Sequence, residues 1–297
     1  MLTRADADAL FSYFRSLPAS PLPVPEHELR WPYSTQPALA VWRALYFSPG
    51  EHVDDQAKGA EWNRGAYLVQ GLGHCSACHT ARNALGASPD VMDLSGGMIP
   101  MQNWYAPSLA SAGEAGVAAW RVQDIARLLQ TGAAPGATVL GPMAEVVMQS
   151  TQHLSGEDLR AMAVYLKELP QTPAPATPPA APAGAGVAER GLKIYGEHCA
   201  QCHGEQGLGI AGAYPPLAAN RAVTLSSPAN LVQVVLAGGF APATAGNPRP
   251  FGMPPYATVL SDSDVAAVLT YIRSAWGNSA APVNELAVTL QRGTTPP

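Results

Sequence analysis

The chain has 297 residues, a net charge of −5 and a pI near 5.8, with 13% charged and 7% aromatic residues beside 28 glycines and 29 prolines. That length holds two or three small domains, the acidic balance argues against nucleic acid as a partner, and no uninterrupted apolar run reaches the roughly 18 residues of a transmembrane helix. Low charge and few aromatics, with much glycine and proline, suit a chain packed partly around a large prosthetic group.

Residues 1–18, MLTRADADALFSYFRSLP, open with Thr3 and place Asp6 three positions on. This is a capping-box-like start, in which hydroxyl and carboxylate satisfy free amides of a first helical turn. Leu10, Phe14 and Leu17 then recur at helical spacing. The pattern returns at 153–170, where Leu154, Ser155, Asp158, Tyr165 and Leu169-Pro170 match Leu2, Thr3, Asp6, Tyr13 and Leu17-Pro18. It returns again at 260–277 with Ser261, Asp264 and Tyr271. Two of these helices close domains that carry a Cys-x-x-Cys-His motif. Residues 1–18 are therefore read as the closing helix of an incomplete upstream domain; an independent N-terminal helix is the alternative. The start lacks the apolar core and small-residue cleavage site of a secretory signal, whereas covalent haem attachment in bacteria takes place outside the cytoplasm. A longer gene product with an export signal and a third haem domain resolves that conflict.

Residues 19–55 form a proline-bearing connection in which Trp42 to Phe47 predicts a short helix docking on the next domain. The domain expected over 56–170 contains Cys75-Ser-Ala-Cys78-His79, and the one over 188–278 contains Cys199-Ala-Gln-Cys202-His203; together they use all four cysteines. One helical turn presents two such thiols to the vinyl groups of a haem and sets the histidine beneath the iron. Zinc ribbons place their Cys-x-x-Cys pairs roughly 15–20 residues apart, far closer than these. A thioredoxin-type dithiol needs a βαβ setting, and structural disulfides give no reason for a histidine in both copies. Two covalent haems c are expected, on Cys75, Cys78, Cys199 and Cys202, with His79 and His203 as proximal ligands.

Each motif is preceded by a similar helix, Arg64-Gly65-Ala-Tyr and Arg190-Gly191-Leu-Lys. Gly65 and Gly191 are expected to let this helix cross close over the closing one, with Tyr165 and Tyr271 filling the contact. A proximal histidine donates its second ring proton to a carbonyl. Ala106-Pro107-Ser108-Leu109 and Tyr214-Pro215-Pro216-Leu217 are the expected sources. For the sixth ligand, Met253 is the single methionine after His203, and its alternative is a core role. In the first domain Met143 holds the equivalent place; Met148 is the second candidate, while Met92, Met98 and Met101 follow the motif too closely and Met162 lies within the closing helix. His74 and His198 are read as surface or structural, and His27, His52 and His153 as solvated. The stretch 171–187 reads as a semi-rigid Pro/Ala-rich linker, and 279–297 as a C-terminal tail whose last residues, ending Arg292-Gly-Thr-Thr-Pro-Pro, are expected to be mobile.

Trp62-Asn-Arg-Gly-Ala-Tyr-Leu-Val-Gln-Gly-Leu-Gly-His-Cys-Ser-Ala-Cys-His-Thr, Gly141-Pro-Met-Ala-Glu-Val-Val and Ser274-Ala-Trp-Gly-Asn resemble the multihaem, three-haem type cytochrome c subunits of bacterial membrane-associated dehydrogenases. The resemblance spans essentially the whole chain, with Ala81 where that family often has proline. It implies a mainly α fold of tandem class I cytochrome c-like domains, with Cys75, Cys78, His79 and Met143 serving one haem and Cys199, Cys202, His203 and Met253 the other. It also implies electron transfer from a large subunit that oxidises an alcohol, sugar, aldehyde or N-heterocycle to ubiquinone or another acceptor, at the periplasmic face of the membrane and peripherally bound. Substrate oxidation would fall to the partner, so the chain is not expected to be an enzyme. The rival functions are a dihaem enzyme such as a cytochrome c peroxidase, which needs an open iron, and a dihaem subunit of a terminal oxidase.

Overall fold

The glycines ahead of each motif set the architecture. In the computed structural model, which describes residues 2–88, 92–173 and 184–293, helix α3 (Ala60–Tyr67) crosses α7 (Gly156–Lys167), and α8 (Ala185–His198) crosses α12 (Asp262–Ser274). A Cβ on Gly65 would run into the Ala161 carbonyl and lie 2.8 Å from Tyr165 Cβ; one on Gly191 would meet the Ala267 carbonyl and lie 2.7 Å from Tyr271 Cβ. Only glycine permits so close a backbone approach, and the two tyrosines close over it as expected.

The elements before the first half are α1 (Arg4–Ser16) and α2 (Gln36–Tyr46). After α3, a π-helical turn over Leu68–Leu72 leads into α4 (Ser76–His79). The two-stranded ribbon β1 (Gly97–Met98) and β2 (Tyr105–Ala106) follows, then α5 (Val122–Thr131), the hairpin β3 (Ala133–Ala134) and β4 (Ala137–Thr138), α6 (Pro142–Gln149) and α7. In the second half α8, α9 (Ala200–His203), α11 (Ala229–Ala237) and α12 take the places of α3, α4, α5 and α7, and α10 (Arg221–Thr224), the pair β5 (Gly239–Phe240) and β6 (Gly252–Met253), and a final α13 (Glu285–Arg292) complete it. The fold is mainly helical, and the strands among the described residues are two-residue antiparallel pairs.

Each half has its own core. Val69, Leu94, Ile125, Leu159, Met162 and Leu166 fill the first, and Tyr195, Val223, Val232, Leu236, Val265, Leu269 and Val288 the second. Burying a side chain of this size contributes about 1.5–3 kcal/mol. The closing helices start as their sequences predict: Ser155 accepts from the Asp158 amide, and Ser261 with Asp264 forms a complete capping box. Lys167 donates to the carbonyls of Ala118 and Trp120 at 2.6 and 2.7 Å. At the matching position Arg273 is 1% exposed and donates to Val223, Leu225 and Ala281 at 2.8, 2.9 and 2.8 Å. Burial lowers the Arg273 pKa, and its carbonyl partners offset the desolvation.

The segment expected as a plain C-terminal tail folds back as α13, and its end at Arg292, expected to be mobile, is held: Val288 is fully buried, and Arg292 pairs with Asp262 and donates to the Leu260 carbonyl at 2.9 Å. Its apolar Val288 has a place waiting between α11 and α12, which sequence periodicity alone did not reveal. His52, expected in solvent, is largely covered and packs on Tyr67 with centroids 5.0 Å apart. The proline-rich linker falls largely on 174–183, outside the described residues. Helix α1 does form with its Thr3 cap, yet has no buried residue; Asp6 accepts from the Tyr67 hydroxyl, and Phe11 and Phe14 are exposed. Helix α2 docks as expected, through Trp42 Nε1 donating to the Leu85 carbonyl at 2.9 Å.

The halves meet along a seam. Asn230 bonds both backbone groups of Tyr105, Arg221 donates to the carbonyls of Ala112 and Gly116 over the Trp120 ring, and Thr244 donates to the Thr131 carbonyl.

Candidate functional site

Both Cys-x-x-Cys-His motifs fold into one short helical turn. Cys75 caps α4, which carries Cys78 and His79; Cys199 caps α9, which carries Cys202 and His203. The His79 amide donates to the Cys75 carbonyl at 3.0 Å, and the His203 amide to that of Cys199 at 3.0 Å. All four cysteines are free, half-buried thiols. Burial pushes Cys75 and Cys199 up to about 11, so both are neutral thiols at pH 7.

The histidines are held at two points each. His79 Nδ1 lies 2.7 Å from the Pro107 carbonyl, and His203 Nδ1 3.0 Å from that of Pro215. Those are the two segments expected from the prolines. The backbone carbonyls of His79 and His203 accept from Gly96 and Gly209, both at 2.8 Å. These glycines have φ of 80° and 64°, and a Cβ on either would strike the proline-bearing strand opposite. Burial lowers both imidazole pKa values, against the raising effect of the carbonyl bonds. With Nδ1 donating to a carbonyl, the ring is neutral and its lone pair sits on Nε2, the form that binds a metal.

Met143 is the second residue of α6 and packs on the same core as Cys75; Met253 lies in β6 and packs on the core that Cys199 joins. The methionine-bearing segments approach their surroundings through glycines. Gly141 has φ 56° and would place a Cβ 2.8 Å from the Trp104 ring, and Gly238 has φ 66° and would place one 2.8 Å from Pro255 N. Of the rival methionines, Met162 is buried in the core and Met101 is 99% exposed; Met98 is on β1 and Met148 on α6. His74 is exposed, and His198 packs on Tyr256.

Two half-buried thiols and an oriented imidazole on one turn, with a half-buried thioether on the same core, form the donor set of a covalently bound haem. Among the described residues no group of His, Cys, Asp and Glu is arranged to hold a bare metal ion. Sequence reasoning missed Glu114. Its carboxylate accepts from the Ser108 amide at 2.7 Å and from the Tyr105 hydroxyl at 3.0 Å, fixing the segment that presents the Pro107 carbonyl. Desolvation first, and then Glu114, push Tyr105 up to about 12.

The chain is similar to known proteins along its length. Residues 188–276 match the cytochrome c family model. The cytochrome c subunit of the quinone alcohol dehydrogenase of Gluconacetobacter polyoxogenes is 36% identical over 100% of this chain and 67% of its own length. The gluconate 2-dehydrogenase cytochrome c subunit of Pantoea cypripedii is 32% identical over 93% of this chain and 66% of its own length. The fructose dehydrogenase cytochrome subunit of Gluconobacter japonicus is 31% identical over 97% of this chain and 64% of its own length. With a duplicated thiol–imidazole turn in its fold and kinship along its whole length, the chain belongs to the cytochrome c subunits of dehydrogenases, electron-transfer proteins with covalently attached haem.

Proposed function

We propose that the chain carries two haems c, one on Cys75 and Cys78 between His79 and Met143, the other on Cys199 and Cys202 between His203 and Met253. They relay electrons from a large dehydrogenase subunit to ubiquinone or another respiratory acceptor. The observation that carries this reading is the duplicated turn, in which each motif histidine is fixed by a proline carbonyl. When bound, a haem supplies one-electron exchange at its iron. This chain's residues would hold it and tune that exchange: the histidines would bind through Nε2, the methionine sulfurs would serve as further ligands that raise the potential, and the apolar cores would exclude water. Closed iron sites of this kind favour relay over peroxide chemistry.

A dehydrogenase partner is supported by the relatives, each of which is named as part of one, and the quinone acceptor by the name of the alcohol-oxidising relative. Haem attachment at both motifs favours the periplasm as the place where the chain works. No helix among the described residues is long and apolar enough to cross a membrane; peripheral attachment through the partner is the arrangement we favour. Intact mass of the denatured protein, matured with an export signal in cells competent for haem attachment, should equal the polypeptide plus two haems. The bare polypeptide mass, where a known c-type cytochrome matures normally, would return the cysteines to other chemistry. Adding the partner and its substrate anaerobically should then reduce both haems.

A further inference from the structure

We propose that Asn230, in the second half, is a positioning residue for the first half's haem site. It holds the outer edge of the β1–β2 ribbon, and through Pro107 it sets how strongly the carbonyl grips His79. The proposal rests on the reading that His79 ligates a haem iron.

Asn230 Oδ1 accepts from the Tyr105 amide at 2.7 Å and its Nδ2 donates to the Tyr105 carbonyl at 2.7 Å. One side-chain amide thus behaves as a further strand on the ribbon. On the other edge β1 pairs with β2 in the register Gly97–Ala106 and Met98–Tyr105. Two residues beyond Tyr105 is Pro107, whose carbonyl accepts from His79, and Ser108 is tied back to Glu114. The segment 105–108 is therefore fastened by β1, by Glu114, by His79 and by Asn230. Asn230 alone of these comes from the other half. A residue held in a ribbon on one side and by an amide on the other has little freedom to drift from its acceptor geometry.

The second half has the same device without the outside hand. Ile210 and Tyr214 bridge there, Gly209 bonds the His203 carbonyl, and Tyr214 leans on Phe251 of its own half. Among the described residues no hydrogen bond from the first half reaches that ribbon, and its histidine–carbonyl distance is 3.0 Å rather than 2.7 Å. A stronger bond to Nδ1 makes the ring a better donor, which favours the oxidised iron and lowers the potential. Docking of the second half is in this way written into the first haem's potential.

The test uses the full chain with both haems. Potentiometric titration followed in the visible spectrum gives two waves, and the wave lost in His79→Gly belongs to the first haem. In Asn230→Leu that wave should move to higher potential while the other stays, and deuterium exchange at the Tyr105 amide should quicken. Asn230→Ala gives the same result where leucine crowds the seam. Thr244→Val, which removes a different cross-seam bond, should move neither wave. Faster exchange at Tyr105 with both waves unmoved overturns the proposal, as does an equal shift in Thr244→Val. Retention of two low-spin haems in His79→Gly would instead defeat the ligand reading itself.

Discussion

The two halves share one plan, and their differences show which parts of it are structural. In the second half the closing helix ends in Arg273, fully buried and tying three carbonyls from two loops; in the first the same position is Lys167, half-buried and tying two. In α1, the third copy of that helix, the matching Arg15 lies over the Phe11 ring, and the apolar face is exposed. The basic residue is therefore not a surface charge by design. It is a loop tie wherever a folded half surrounds it, and a guanidinium with five donors ties more than an ammonium can.

Replacing each tie separates the halves most sharply. Arg273→Met should destabilise the second half by about 4 kcal/mol, because it leaves several buried carbonyls without donors. Lys167→Met should destabilise the first by only about 1 kcal/mol, since its carbonyls lie nearer water. Urea melts read at each haem's visible band check both, and equal losses would refute the distinction. Gly65→Val and Gly191→Val should each remove about 3 kcal/mol from their own half, since the methyls meet a helix backbone rather than a movable side chain. A melt in which either substitution is neutral would mean that the crossing relaxes.

Redox and acid tests treat the halves alike. Met253→Ala should lower the potential of one haem and Met143→Ala that of the other, each leaving its counterpart in place. Titration curves unchanged in either variant would refute that assignment. On acidification the sign follows from burial: His79 and His203 have pKa values lowered below their unfolded value of about 6.5. The stability they contribute is present above that value and lost as the pH falls through the folded pKa. Both low-spin spectra should fail on the acid side; loss of either between pH 7 and 8 would contradict it.

Much of the site was legible in the sequence because it depends on neighbours in sequence. A Cys-x-x-Cys-His turn and a serine with aspartate three residues on each act over a short span, and Pro107 and Pro215, though 28 and 12 residues beyond their histidines, stand where expected. Gly65 and Gly191 were legible because repetition marked them. What escaped depends on how the assembled fold places a side chain rather than on any local pattern. Asn230 and Glu114 look like any polar residue until the ribbon is assembled, Val288 needs the groove beside α12, and His52 needs Tyr67. Met143 and Met253 were picked by position, and their placement on the two cores follows from folding that no local pattern encodes.

The smallest effect concerns a symmetry also hidden until the helices cross. The arginine ahead of each crossing glycine reaches the aspartate in the first turn of the opposite helix: Arg64 grips Asp158 with two bonds at 2.7 and 2.9 Å, and Arg190 meets Asp264 at 2.7 Å through one carboxylate oxygen. Both aspartates sit below the usual carboxylate range. Arg64 is the largest cause for Asp158, and the Ser261 hydroxyl the largest for Asp264, ahead of Arg190. Because the arginines are about half exposed, solvent screens each pair to about 0.5 kcal/mol. Arg64→Ala should therefore cost its half slightly more than Arg190→Ala costs the other, and the difference should vanish in molar salt. A larger loss from Arg190→Ala, at low or high salt, would mean that the capping hydroxyl does not carry Asp264 as the hydrogen bonds indicate.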